Sequence, residues 1–307
     1  MNMDMLKSGL EAVLTPSPAV FIIGILIVVL LPILLHFVLS STTDSSLPYV
    51  LLAGPSGAGK TALLTLFERG PQSKTEKPAA ATLTHTSQIP ATIELSVSED
   101  ATSSFRDDLD ASGATAKSFL LVDTPGHPKL RQHALSRLAV STTKKGPAAG
   151  KLKGVVFIVD AAALADGDSL PATAEYLYDL LLSLQKRMSG NKTSRPPAGI
   201  PVLVAANKLD LFTSLPAALV KTNLETELTR IRKARSKGLL DSGAGADDDG
   251  LSGADASDDW LGEYGSEKFA FKQMLEFDIE VDVKGGNVVG EGPGVDGWWS
   301  WIAQCIV

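Results

Sequence analysis

Eight residues, Gly54-Pro55-Ser56-Gly57-Ala58-Gly59-Lys60-Thr61, place three glycines, a lysine and a hydroxyl in the spacing G-x-x-x-x-G-K-S/T. An apolar run precedes them and a helical pattern follows, which is the context this spacing requires. A glycine-rich loop of this kind turns backbone N–H groups inward and cradles a β-phosphate. The helix that starts beside it adds the positive end of its dipole. Lys60 is placed to reach the β- and γ-phosphates and Thr61 to ligate Mg²⁺ through its hydroxyl.

Two further runs complete the chemistry. Asp123-Thr124-Pro125-Gly126-His127 ends a predicted strand. A carboxylate there can hold a water on Mg²⁺, and Gly126 can aim its N–H at a γ-phosphate, so that the segment after it senses hydrolysis. Taken alone, Asp123 is also an ordinary strand-end turn residue. Asn207-Lys208-Leu209-Asp210 follows another predicted strand. The Asp210 carboxylate can accept from guanine N1–H and from its 2-amino group, a donor pair that adenine lacks. Asn207 can orient the loop and reach the base, and the Lys208 stem can lie over the ring. N-K-x-D is weak by itself, but ligands of α/β sheets bind at strand carboxyl ends. The three runs together predict one site for GTP or GDP with Mg²⁺.

Positioning three loops this way needs a sheet. Apolar runs at 49–54, 118–123, 154–160 and 200–207 read as buried strands, and the alternating ATIELSV (91–97) as an edge strand. Helical patterns lie near 60–69, 129–141, 172–188 and 216–237. Strands alternating with helices predict an α/β fold with a doubly wound, mostly parallel sheet. A final strand region is expected at 271–281 and a last helix at 296–306, with Trp298, Trp299 and Trp301 as packing residues. Residues 71–90, rich in Pro, Ala, Thr and Ser, read as a loop. Residues 241–259 hold seven Asp and no Lys or Arg; that composition buries no core and predicts a disordered acidic insertion.

Ahead of this domain, Ala19 to Leu39 are 21 consecutive residues without Asp, Glu, Lys or Arg. As a helix they span about 30 Å, the thickness of a bilayer's hydrocarbon core. The run is longer than a signal peptide's apolar region, usually about 7–15 residues, and lacks the polar stripe of a core helix. The expected order is a tail at 1–18, a transmembrane helix at 19–39, a polar linker at 40–47, and the nucleotide domain at 48–307. Only Lys7 precedes the span and no Lys or Arg lies between it and Lys60, so charge does not set the orientation. The net charge is −7 with no basic tract, which excludes phosphate-backbone recognition as the principal activity. The lone cysteine, Cys305, allows no intrachain disulfide and reads as a small buried hydrophobe.

The set GPSGAGKT, DTPGHPKLR (123–131) and NKLD resembles the small-GTPase superfamily. VFIVDAAAL (156–164), AEYLYDLLLSL (174–184) and the N-terminal span make it most similar to the beta subunits of the signal recognition particle receptor. The resemblance covers about residues 19–307, apart from the acidic insertion. It implies a slow, partner-regulated GTPase that anchors the receptor's alpha subunit at the endoplasmic reticulum. It implies recruitment in the GTP state through the switch segments, with the translocon or ribosome as further possible partners. The nucleotide domain is then cytosolic and the tail luminal. Ras-like members carry Gln after the switch glycine to orient the attacking water; His127 stands there and either does this or merely packs. The switch hydroxyl on Mg²⁺ lies among Thr84, Thr86 and Ser87, with Thr84 preferred. The base-contacting S-A-K element falls near Asp282-Val283-Lys284, where only Lys284 and backbone N–H groups remain to serve. Two other readings stay open: an Arf-like trafficking GTPase on a membrane tether, and an adaptor that holds GTP without turning it over. Asn2 in place of Gly removes the myristoylation signal that would favour the first.

Overall fold

A computed structural model of the chain describes residues 22, 24–32, 47–69, 84–97, 117–138, 152–189, 199–241, 260–290 and 294–307. These fall in two units, divided between Ser46 and Leu47. In the first, residues 22 and 24–32 are helical and their apolar side chains are exposed. Among the described residues no helix is long and apolar enough to cross a membrane. The rest of the expected span at 19–39, the tail at 1–18 and the linker at 40–46 lie outside the described residues, as do 242–259 of the acidic insertion.

The second unit is built on a six-stranded sheet. Its strands are β1 (Tyr49–Ala53), β2 (Ala91–Val97), β3 (Lys117–Asp123), β4 (Leu152–Asp160), β5 (Val202–Asn207) and β6 (Val281–Gly285), in the order β2-β3-β1-β4-β5-β6. All neighbours run parallel except the edge pair of β2 with β3. The burial strings follow the positions. β1 and β5 are buried at every residue, as strands covered on both faces must be, whereas β2 is half-exposed and alternates.

Among the described residues five helices cover the sheet: α1 (Lys60–Arg69), α2 (Gln132–Leu138), α3 (Ser169–Ser189), α4 (Ala217–Asp241) and α5 (Asp296–Ile306). Successive strand residues point to opposite faces, so the core divides in two. Leu51, Phe157 and Val204 pack with α2, α3 and α4, while Val50, Val156 and Leu203 pack with α1 and α5. That is the doubly wound arrangement the sequence predicts. Trp298, Trp299 and Trp301 are core residues of α5 as expected, and the indole of Trp299 meets Phe67 edge-on at 5.0 Å. Cys305 is half-buried near Gly154, and burial pushes its thiol up to about 12, which leaves it unreactive at neutral pH.

Two expectations need correction. Residues 271–277 are a 3-10 helix and the strand begins only at Val281. Left-handed Asp278 (φ 54°) ends the turn. Phe271 and Met274, three apart, are its buried residues, a helical spacing too short to tell from a strand by length. Residues 260–270 belong to the domain as well. Arg232 of α4, 1% exposed, bonds the Leu261 and Ser266 carbonyls and the Ser266 hydroxyl and stacks on Trp260, fixing 260–270 to the domain. The helical pattern at 129–141 divides into a 3-10 turn at Pro128–Leu130 and α2.

Candidate functional site

Every predicted loop lies at the carboxyl ends of the parallel strands. Residues 54–59 connect β1 to α1 and bend at three left-handed glycines, Gly54 (φ 136°), Gly57 (φ 79°) and Gly59 (φ 103°). Gly59 has a second reason to be glycine, because a Cβ there would collide with the Asn207 amide. Lys60 begins α1 and is 5% exposed; its ammonium donates to the Pro55 carbonyl at 2.8 Å. Burial pushes that ammonium down to about 8, with the Asp123 charge opposing. A buried cation with one neutral acceptor is a strong anion site.

Asp123 ends β3 and is 1% exposed. Its Oδ2 accepts from the Thr61 hydroxyl at 2.7 Å, while its Oδ1 is buried without a partner. Burial pushes the carboxyl up, against the Thr61 hydroxyl, the Lys60 charge and the Thr124 N–H. An unpartnered carboxylate oxygen beside a threonine hydroxyl is a donor set suited to a hard, oxygen-seeking cation; Thr61 and Asp123 therefore fit Mg²⁺. Gly126 is buried against the phosphate loop. A Cβ on it would lie 2.6 Å from the Gly54 carbonyl oxygen, so no larger residue could bring this segment so close.

Asn207, 3% exposed, ties the regions together. Its amide donates to the Ala58 carbonyl at 2.7 Å, and its Oδ1 accepts from the Val288 N–H at 3.1 Å. Asp210 is exposed beside Gly290, where a Cβ would approach its Oδ2 to 2.7 Å. Lys208 adopts a left-handed backbone (φ 67°) and its ammonium pairs with the Asp160 Oδ2.

Five predicted residues stand apart from this cluster. His127 is exposed and caps the 3-10 turn, its Nδ1 accepting from the Lys129 N–H at 3.3 Å. Thr84 and Thr86 are exposed and Ser87 half-exposed in the segment before β2, and no described contact brings any of them to the phosphate loop. Lys284 sits inside β6 opposite Ala205 and gives its carbonyl to the Trp298 indole. The residues that meet Asn207 and Asp210 are instead Val288 and Gly290, four to six positions later. Their loop is braced by Asn287, which is buried and bonds the Val289 and Gly290 carbonyls and the Gly294 N–H. The run Gly285-Gly286-Asn287-Val288-Val289-Gly290 was the available signal.

Tyr176 has no site role in the sequence reading, and Arg131 appears there only as the end of the run 123–131. The Tyr176 hydroxyl, buried between the Thr124 side chain and the Gly54 backbone, has no well-aligned partner, and burial pushes it up to about 12. The Arg131 guanidinium stacks on that ring at 4.8 Å and donates to the Ala172 carbonyl. Nothing in their types marks them; only the tertiary fold brings α3 under the two loops.

Comparison with known proteins decides the family. The family described as signal recognition particle receptor beta subunit matches residues 45–276. The chain belongs to that family. The beta subunit of this receptor from Saccharomyces cerevisiae is 34% identical over 192 residues, 62% of this chain and 61% of that protein; the chain thus aligns with less than two thirds of that relative's length. The human beta subunit is 31% identical over 190 residues, 61% of this chain and 58% of its own. Among solved structures, the Chaetomium thermophilum SRb-GTP/SRX complex matches with a TM-score of 0.67 and 49% identity, over 84% of this chain and 99% of that one. The SRb-GDP-Mg structure from the same organism matches with a TM-score of 0.58 and 50% identity, over 85% and 98%. The small-GTPase fold, a mostly parallel six-stranded sheet, is thereby shared with members of the receptor beta-subunit family.

Proposed function

We propose that this chain is a GTP-binding switch that recruits the alpha subunit of the signal recognition particle receptor to the endoplasmic reticulum membrane. The observation that carries the nucleotide reading is Asn207: one side chain joins the phosphate loop at Ala58 to the base loop at Val288. Gly54–Gly59 and Lys60 receive the phosphates, Thr61 and Asp123 hold Mg²⁺, and Asp210 reads guanine. The related structures with GTP and with GDP and Mg support the ligands, and the related complex with SRX supports the alpha-type partner.

Mg²⁺ supplies charge neutralisation at the β- and γ-phosphates. The chain's own part is to hold Lys60 charged against them and to bring Gly126 onto the phosphate loop. His127, exposed next to Gly126, is our choice for orienting the attacking water, through the ring nitrogen that the Lys129 N–H leaves open. Slow hydrolysis belongs to this reading, and it is supported by Arg131, the arginine of the 123–131 run, being engaged with the Tyr176 ring and the Ala172 carbonyl. Thr84 is our choice for the switch hydroxyl on Mg²⁺. Lys284 is better replaced by the backbone of 286–290 in the base pocket.

Residues 19–39 form the anchor. The 21-residue uncharged run supports this, as does the helix through 24–32 with its exposed apolar side chains. GTP is a cytosolic nucleotide, so the domain faces the cytosol and residues 1–18 the lumen. The test is a pull-down from detergent extract of the chain loaded with GTP or GDP. Capture of an alpha-type receptor subunit by the GTP form alone is expected. Equal capture by both forms would leave a passive adaptor.

A further inference from the structure

We propose that Asp160 is a positioning residue for the nucleotide base, acting through Lys208; this rests on the guanine-nucleotide reading above. Asp160 ends β4 directly beside Asn207, the end of β5. Its two carboxylate oxygens do different work. Oδ1 accepts from the N–H groups of Ala162 and Ala163, both at 3.0 Å, and so shapes the turn after β4. Oδ2 holds the Lys208 ammonium in an ion pair.

Lys208 has reason to need such a tether. Its φ of 67° is costly for a residue with a Cβ. Its side chain is also long, flexible and about one-third exposed, so an untethered stem would sample many rotamers. Fixing the ammonium at the end of β4 stretches the four-carbon stem between that strand and the Asn207 corner. The stem is thereby held as a flat apolar wall on the side where Asp210 reads the base edge. Backbone bonds join the same strand ends: Ala161 N–H donates to Asn207 O at 3.0 Å, and Leu215 N–H to Ala161 O at 3.1 Å. The wall is thus built before any ligand arrives, and the ordering cost falls on folding rather than on binding.

A double-mutant cycle on the full chain in detergent, read as the dissociation rate of mant-labelled GDP, tests this. Asp160→Asn keeps an acceptor for the turn and removes the charge; Lys208→Met keeps the stem and removes the ammonium. Each is expected to speed release about tenfold, and the double variant no more than either alone, because both break the same tether. Asp160→Glu should recover much of the loss. If Asp160→Asn speeds release as much in the Lys208→Met background as in wild type, Asp160 is only a turn cap and the inference fails. Unchanged release in Asp160→Asn overturns it equally. Wild-type protein that does not bind mant-GDP at all would sink the nucleotide reading and this inference together.

Discussion

The two ends of the candidate site are prepared differently. At the base end the side chains around Asp210 are already engaged: Asn207 spends its amide on the phosphate loop, Asn287 on its own loop, and Lys208 is paired with Asp160. At the phosphate end they are not. Lys60 is buried with a single carbonyl acceptor, Asp123 Oδ1 has no partner, and both groups are pushed toward neutrality by burial. The base end is a preformed mould, whereas the phosphate end stores a desolvation cost that an anion and a cation relieve. On the proposed nucleotide reading, specificity resides at the prepared end and binding energy at the unsatisfied one.

The largest effect should come from breaking the phosphate end. Lys60→Ala removes the buried cation and should weaken GTP by at least a hundredfold, on the order of 3 kcal/mol or more, measured by fluorescent-nucleotide titration. Breaking the mould should redirect binding rather than abolish it. Asp210→Asn loses two charge-assisted bonds to guanine, each about 1.5–3 kcal/mol, so GTP weakens while xanthine nucleotide gains. Asn207→Ala leaves the Ala58 carbonyl and the Val288 N–H unpaired; about 1–3 kcal/mol of fold stability should go, seen as a lower Tm without nucleotide.

A subtler difference is in protons. Lys60 near 8 in the free protein returns toward its ordinary 10.5 once phosphates surround it, so binding takes up protons around pH 8. Calorimetry at pH 8 in two buffers of different ionisation enthalpy should register uptake of about half a proton. The folding linkage has the same origin: a lysine depressed in the folded state costs stability below about 8. That cost is relieved as pH rises through 8 toward 10.5, so the nucleotide-free protein should gain stability over this window relative to Lys60→Met. The smallest effect is expected at His127. Its ring only caps a short turn, so His127→Ala should change stability by about 1 kcal/mol or less, while single-turnover hydrolysis slows more than GTP affinity falls.

Legibility in the sequence followed the same division. The phosphate loop, Asp123 and N-K-x-D could be read directly, because phosphate and metal chemistry fix residue types at fixed spacing and buried parallel strands are continuous apolar runs. The last base loop could not. The residues that meet Asn207 and Asp210 there, Val288 and Gly290, do so through backbone, which carries no chemical label, and they lie four to six residues beyond Lys284 in β6. Asp160 and Tyr176 meet neighbours far away in the chain, Lys208 for the first and Thr124 and Gly54 for the second, so spacing gave no hint of them. The 3-10 turn at 271–277 was hidden for a local reason: seven residues with buried Phe271 and Met274 can be read as strand or as helix by length alone.

One competition experiment addresses the whole account. Purified full-length protein, Mg²⁺ present, is titrated with GTP and separately with ATP. Tight GTP binding with ATP weaker by a hundredfold or more, both lost in Lys60→Ala, is the predicted result. ATP binding as tightly as GTP would mean that Asn207, Asp210 and the 286–290 loop do not face the base.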